Sequence, residues 1–131
     1  MWELREERNH VKAEAESHMI SRIWRGWTSK DNANAYDALL RNEIFPGILD
    51  RNIIGLRRIE LFRAPDGDEV EFVTVMWFET MAAIKAFAGE DYEVAVVPDK
   101  ARALLTRFDA RSRHYNVREV HDIPPPAPPV S

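Results

Sequence analysis

The stretch Phe72-Val-Thr-Val-Met-Trp-Phe78 constrains the fold more than any other feature, because it is apolar on both of its faces. Its β-branched and aromatic residues favour a strand. Side chains alternate along a strand, so Val73, Val75 and Trp77 share one face, and Phe72, Thr74, Met76 and Phe78 share the other. An antiparallel strand with one wet face alternates apolar with polar residues instead. Both sides of this strand therefore need cover, one from helices and the other from a further layer.

The flanking sequence supplies the helices. Residues 20–28 read as a first strand, and Ser29 is a good N-cap for a helix carrying Ala35, Leu39, Leu40 and Ile44 at helical spacing. Pro46-Gly47 stops that run. Residues 53–63 form a second strand, joined to the third (70–79) through Asp66-Gly67, a hairpin signal. Thr80 caps a helix with Met81, Ile84 and Phe87, which Gly89 closes. Residues 99–108 are expected to form a further short helix after Pro98, and residues 111–117 the last strand. The expectation is an α+β, ferredoxin-like βαββαβ domain: a four-stranded antiparallel sheet with both helices on one face. Residues 1–18 form a charged N-terminal extension, helical or disordered; residues 19–118 form the domain; residues 119–131 form a Pro-rich flexible tail.

The aliphatic set Ile23, Ile59, Leu61, Val73 and Val75 best suits the helix-covered face, which places Trp77 in a pocket under the helices. The mixed set Arg22, Trp24, Arg58, Phe62, Phe72 and Met76 is left as an apolar patch on the bare face. A second copy packing sheet against sheet would cover it, so a homodimer is expected.

Composition excludes several functions. The net charge of −4 leaves no electrostatic footprint for nucleic acid or an anionic membrane. The absence of cysteine excludes disulfides and thiolate catalysis. No apolar run approaches a membrane span, and a cytoplasmic location is expected. Glu90-Asp91 is an acidic pair without histidines at metal spacing, so no metal site and no cofactor are expected.

Residues 20–28 (Ile-Ser-Arg-Ile-Trp-Arg-Gly-Trp-Thr), Tyr36, Pro46, Gly55, residues 72–77, residues 86–89 and Arg113-His-Tyr115 together resemble the antibiotic-biosynthesis monooxygenase-like family of dimeric α+β barrels. The resemblance spans nearly the whole folded part and implies a two-sheet barrel made by a dimer. It also implies cofactor-independent oxidation of a small planar aromatic or polyketide-like molecule. One branch of that family degrades haem, and this chain departs from it: Ile23 and Phe87 stand at or near the places of its first-strand Asn and proximal His. Neither residue can serve an iron-bound ligand or the iron.

For such chemistry the candidates are few. His114, the one histidine inside the domain, would be the base. Trp77 would stack on the substrate, and Arg25 would pin an anionic oxygen. Trp27, Ile23, Tyr36 and Phe87 would wall the pocket. The competing reading is a non-catalytic dimeric barrel that binds a small hydrophobic ligand.

Overall fold

The computed structural model describes residues 18–129. The expected 1–18 extension therefore lies almost wholly outside the described residues, and residues 117–129 carry no regular secondary structure. Strand β1 (Ile20–Ser29) leads into helix α1 (Lys30–Leu39), whose first turn is held by Ser29 Oγ accepting from the Asn32 amide at 3.2 Å. A π-helical turn over Leu40–Ile44 then connects directly to α2 (Phe45–Asp50). The wide turn closes with the Phe45 amide donating to the Leu40 carbonyl, five residues back. Pro46 follows it. A proline ring would crowd the carbonyl four residues earlier, and a widened turn relieves that clash without breaking the helix.

Strands β2 (Leu56–Asp66) and β3 (Glu69–Phe78) form the expected hairpin, in which Gly67 takes the positive φ (+59°) that its two-residue loop requires. Helix α3 (Met81–Ala88) starts where Thr80 Oγ1 accepts from the Ala83 amide at 3.1 Å, and it ends at Gly89 (φ +93°). The segment expected as one helix over 99–108 is two elements. Helix α4 (Asp99–Arg102) gives way to strand β4 (Leu105–Phe108), followed by β5 (Arg113–Asn116). The free edge of β1 accounts for the difference: residues 105–108 gain ladder hydrogen bonds there that outweigh local helix preference.

The result is a five-stranded antiparallel sheet in an α+β domain. Its order is β2-β3-β1, with β4 and β5 lying end to end along the far edge of β1. They act as one interrupted fourth strand, so the expected βαββαβ plan holds with its last strand broken at residues 109–112.

The register corrects the face assignment. Ile20, Arg22, Trp24 and Gly26 lie opposite Phe78, Met76, Thr74 and Phe72, and these residues share one face with Ile59 and Leu61. On that face Phe72 packs with Ala33, Tyr36 and Leu40, while Met76 and Phe78 pack with Ala83 and Ile84. It is therefore the helix-covered side. Ile59 and Leu61 were placed on it correctly. Val73, Val75, Ile23 and Trp77 lie on the bare side instead, with Arg58 and Phe62. The large aromatics, not the short aliphatics, span the gap to the helices; they bury more surface per residue.

Candidate functional site

A cavity of about 60 Å3 lies between the helix-covered face and the helices. The sheet contributes Arg22, Trp24, Thr74 and Met76 to its lining. Tyr36, Leu40 and Ile44 come from α1 and the π turn, Phe45 and Ile48 from α2, and Phe87 from α3. Val96, Val97, Pro98, Ala101 and Ser112 complete it. Gly26 makes room for its largest element: a Cβ there would come within 2.9 Å of the Trp24 ring. The indole N–H donates to the Asp109 carbonyl at 2.7 Å, which fixes the ring at the strand interruption.

Arg22 is the one charged residue lining this cavity, and it is only 3% exposed. Burial pushes its pKa down to about 10. Its Nη1 donates to the Tyr92 carbonyl and lies 3.0 Å from His114 Nε2; its Nη2 donates to the Val94 carbonyl at 3.2 Å. The guanidinium also sits 5.5 Å from the centre of the Phe87 ring. No carboxylate pairs with it among the described residues, which is uncommon for a buried charge.

His114 stands behind Arg22 rather than in the lining. Burial lowers its pKa, the neighbouring Arg22 charge lowers it further, and Glu93 partly opposes both. Because arginine can only donate, His114 Nε2 accepts from Nη1 and the neutral ring carries its proton on Nδ1. Tyr92 closes on the imidazole edge-to-face at 5.2 Å.

Of the residues singled out from sequence, Tyr36 and Phe87 meet at the cavity, with His114 close behind it. Trp77, Arg25, Trp27 and Ile23 do not reach it, because they project from the opposite face. There Trp77 stacks under the Arg58 guanidinium at 5.2 Å. Arg25 is exposed and paired with Asp109 at 2.9 Å, and Trp27 lies 3.9 Å beneath Arg107 with its N–H on Asp66. Sequence reasoning passed over Arg22 and Trp24 as site residues. Their signal was available: Arg22, Trp24 and Gly26 alternate in step with Phe72, Thr74 and Met76, the run that carries the larger side chains. No group of side chains suited to a metal ion occurs among the described residues. The cavity is also far smaller than a porphyrin requires.

No protein-family profile matches the chain, and no curated protein sequence does. Solved structures share its fold. A candidate antibiotic biosynthesis monooxygenase from Bacillus cereus superposes with a TM-score of 0.56 at 14% identity, covering 80% of this chain and 98% of its own. A second candidate of the same description, from Nitrosomonas europaea, gives 0.55 at 14% identity over 76% and 89% of the two chains. Protein SO0527 from Shewanella oneidensis gives 0.55 at 20% identity over 74% and 90%. At these identities the likeness is one of fold, and it agrees with the α+β chain fold that the sequence resemblance implied.

Proposed function

We propose that this protein belongs with the antibiotic-biosynthesis monooxygenase-like barrels and oxidises a small planar, enolisable molecule with O2, without a cofactor. The observation that carries this reading is Arg22: a buried guanidinium, with no carboxylate partner among the described residues, in a cavity whose other lining residues are uncharged. Such a site favours a substrate whose oxygen becomes negative, since charge stabilisation strengthens where water is excluded. Cavity size narrows the class. An apolar cavity of about 150 Å3 accepts benzene, so about 60 Å3 fits at most a single ring, and only with some widening of its walls. A fused polyketide is disfavoured.

In this reading the substrate's developing oxyanion takes over Nη1 of Arg22, and His114 Nε2, released from that contact, accepts the proton. The carbanion then reduces O2, forming a peroxide on the same carbon. Loss of water leaves a carbonyl, so that a methylene and O2 give a ketone and H2O. The protein supplies orientation, one base and a dry cavity. An oxygen electrode with a panel of single-ring phenols and cyclic diketones tests it. His114→Ala and Arg22→Met should each lower kcat for an accepted substrate. Uptake that neither substitution alters would end the mechanism. Binding without uptake would favour a non-catalytic ligand-binding barrel, which the engaged lone pair of His114 supports.

The bare sheet face supports the expected homodimer. Ile23, Val73, Val75 and Trp77 form an apolar strip there, with Phe62 51% exposed beside them. A solvated antiparallel face would show polar residues in those places.

A further inference from the structure

We propose that the cavity is a carboxylate site: its ligand is a small organic monoanion whose carboxylate bridges Nε and Nη2 of Arg22, with the Tyr36 hydroxyl as an additional donor. This rests on the reading of the cavity as the substrate site and specifies the acid group that the substrate carries.

The donor inventory leads to it. A guanidinium has five N–H groups. Tyr92, His114 and Val94 occupy both hydrogens of Nη1 and one of Nη2. Nε–H and one Nη2 hydrogen remain, with no partner among the described residues. These neighbouring nitrogens match the spacing of two carboxylate oxygens. The two carbonyls and the imidazole hold the guanidinium in place, so little side-chain entropy is lost when an anion binds.

Three hydroxyls point the same way. Tyr36 is 1% exposed and Ser112 5%, Thr74 is half-buried, and all three line the cavity without a protein hydrogen bond among the described residues. No sealed side-chain oxygen lacks a partner among the described residues, so these three hydroxyls open onto the cavity, where a ligand can reach them. Burial also raises the Tyr36 pKa strongly, so the phenol stays protonated and can donate to an anion. Charge fixes the stoichiometry. Arg22 is the sole charged lining residue, and a monoanion neutralises it, while a dianion would leave one charge buried without a partner. The remaining lining, Met76, Phe87, Leu40 and Ile48 among it, suits an apolar body on that acid.

Titration calorimetry and Trp fluorescence with sodium benzoate, against the neutral isostere benzamide, test the assignment on the full chain. The fluorescence readout is direct, since Trp24 lines the cavity. Benzoate should bind at least tenfold more tightly than benzamide. Arg22→Met should abolish that preference, Arg22→Lys should weaken benzoate at least tenfold by losing the fork, and Tyr36→Phe should weaken it a few-fold. Equal affinity for both probes, binding of neither benzoate nor the smaller acetate, or a benzoate affinity that survives Arg22→Lys would each overturn the proposal; failure of both probes would mark a cavity that holds only water. Circular dichroism checks that the variants are folded, and Tyr36→Phe gives a second readout where Arg22→Met disturbs the site. The measurement is independent of oxygen uptake. Anion binding without uptake leaves this assignment standing and removes the oxygenase reading; uptake of neutral substrates with no preference for acids does the reverse.

Discussion

Phe72 and Trp77 sit five residues apart on opposite faces of β3, and truncating each should weaken the protein in a different way. Phe72 is fully buried against the helices and meets Tyr36 edge-on, with ring centres 4.8 Å apart. Removing a buried Phe down to Ala costs about 3–5 kcal/mol through lost transfer energy and the cavity left behind. Against a domain stability of roughly 5–15 kcal/mol, that is at least about a fifth of the total. At about 4 °C per kcal/mol for a chain of this size, the Tm of Phe72→Ala should fall by about 12–20 °C. The loss belongs to the protomer, so it should not change with protein concentration. Trp77→Ala removes a half-buried side chain and should cost about 1–2 kcal/mol within one copy. If a second copy covers that face, its larger effect appears through mass action and grows with protein concentration. Denaturant unfolding followed by far-UV circular dichroism, at two concentrations a hundredfold apart, separates the two. A large, concentration-independent loss from Trp77→Ala beside a small one from Phe72→Ala would refute the face assignment and return Trp77 to the core.

Static light scattering at micromolar concentration should give twice the 15.2 kDa chain mass, and Val73→Glu on the bare face should return it to the monomer value; an unchanged mass in the variant excludes that interface. The lowered pKa of His114 makes stability depend on pH with a definite sign. The unfolded chain binds its proton more readily than the folded one, so stability is full above the unperturbed value of 6.5 and declines as pH falls through 6.5 towards the lowered folded value. The charges facing the ring are Arg22, which opposes its protonation, and Glu93, which favours it; His114→Gln should flatten the acid limb of a stability–pH curve. Two glycines should respond oppositely to alanine. Gly47→Ala, in helix α2 with open space around it, should stabilise by about 0.5–1 kcal/mol. Gly55→Ala, at φ +93° with its new Cβ 3.0 Å from that of Ala83, should destabilise by at least about 1 kcal/mol. Thermal melts check both.

Local chemistry was legible in the sequence wherever one residue decides the outcome. Ser29 and Thr80 cap the helices expected of them, Gly67 turns the hairpin, and Gly89 closes α3. Residues 104–108 misled, because Leu104 and Leu105 suit a helix as well as a strand and only the open edge of β1 decides between them. Trp77 misled for a different reason. When both faces of a strand are apolar, parity gives two sets but does not say which set meets the helices. The purely aliphatic set reads as the helix-facing one, and Arg22 goes with the mixed set expected to meet a second copy. The structure puts that charge inside, held by the Tyr92 and Val94 carbonyls and by His114. None of these three lies near Arg22 in the chain, so no local pattern announces them.

The π-helical turn at Leu40–Ile44 has a consequence for how such a cavity can change over time. It holds one more residue than an α-helical turn, so deleting a single residue there would restore regular helix without touching the sheet. Because the wide turn absorbs its extra residue, Tyr36 would keep its bearing relative to Phe45 and Ile48, and only the wall between them would shorten. The cavity would keep the Tyr36 hydroxyl and lose part of the lining that Leu40 and Ile44 supply. One codon, gained or lost at this point, is therefore enough to change the size of the chamber while the polar groups on either side of it keep their places.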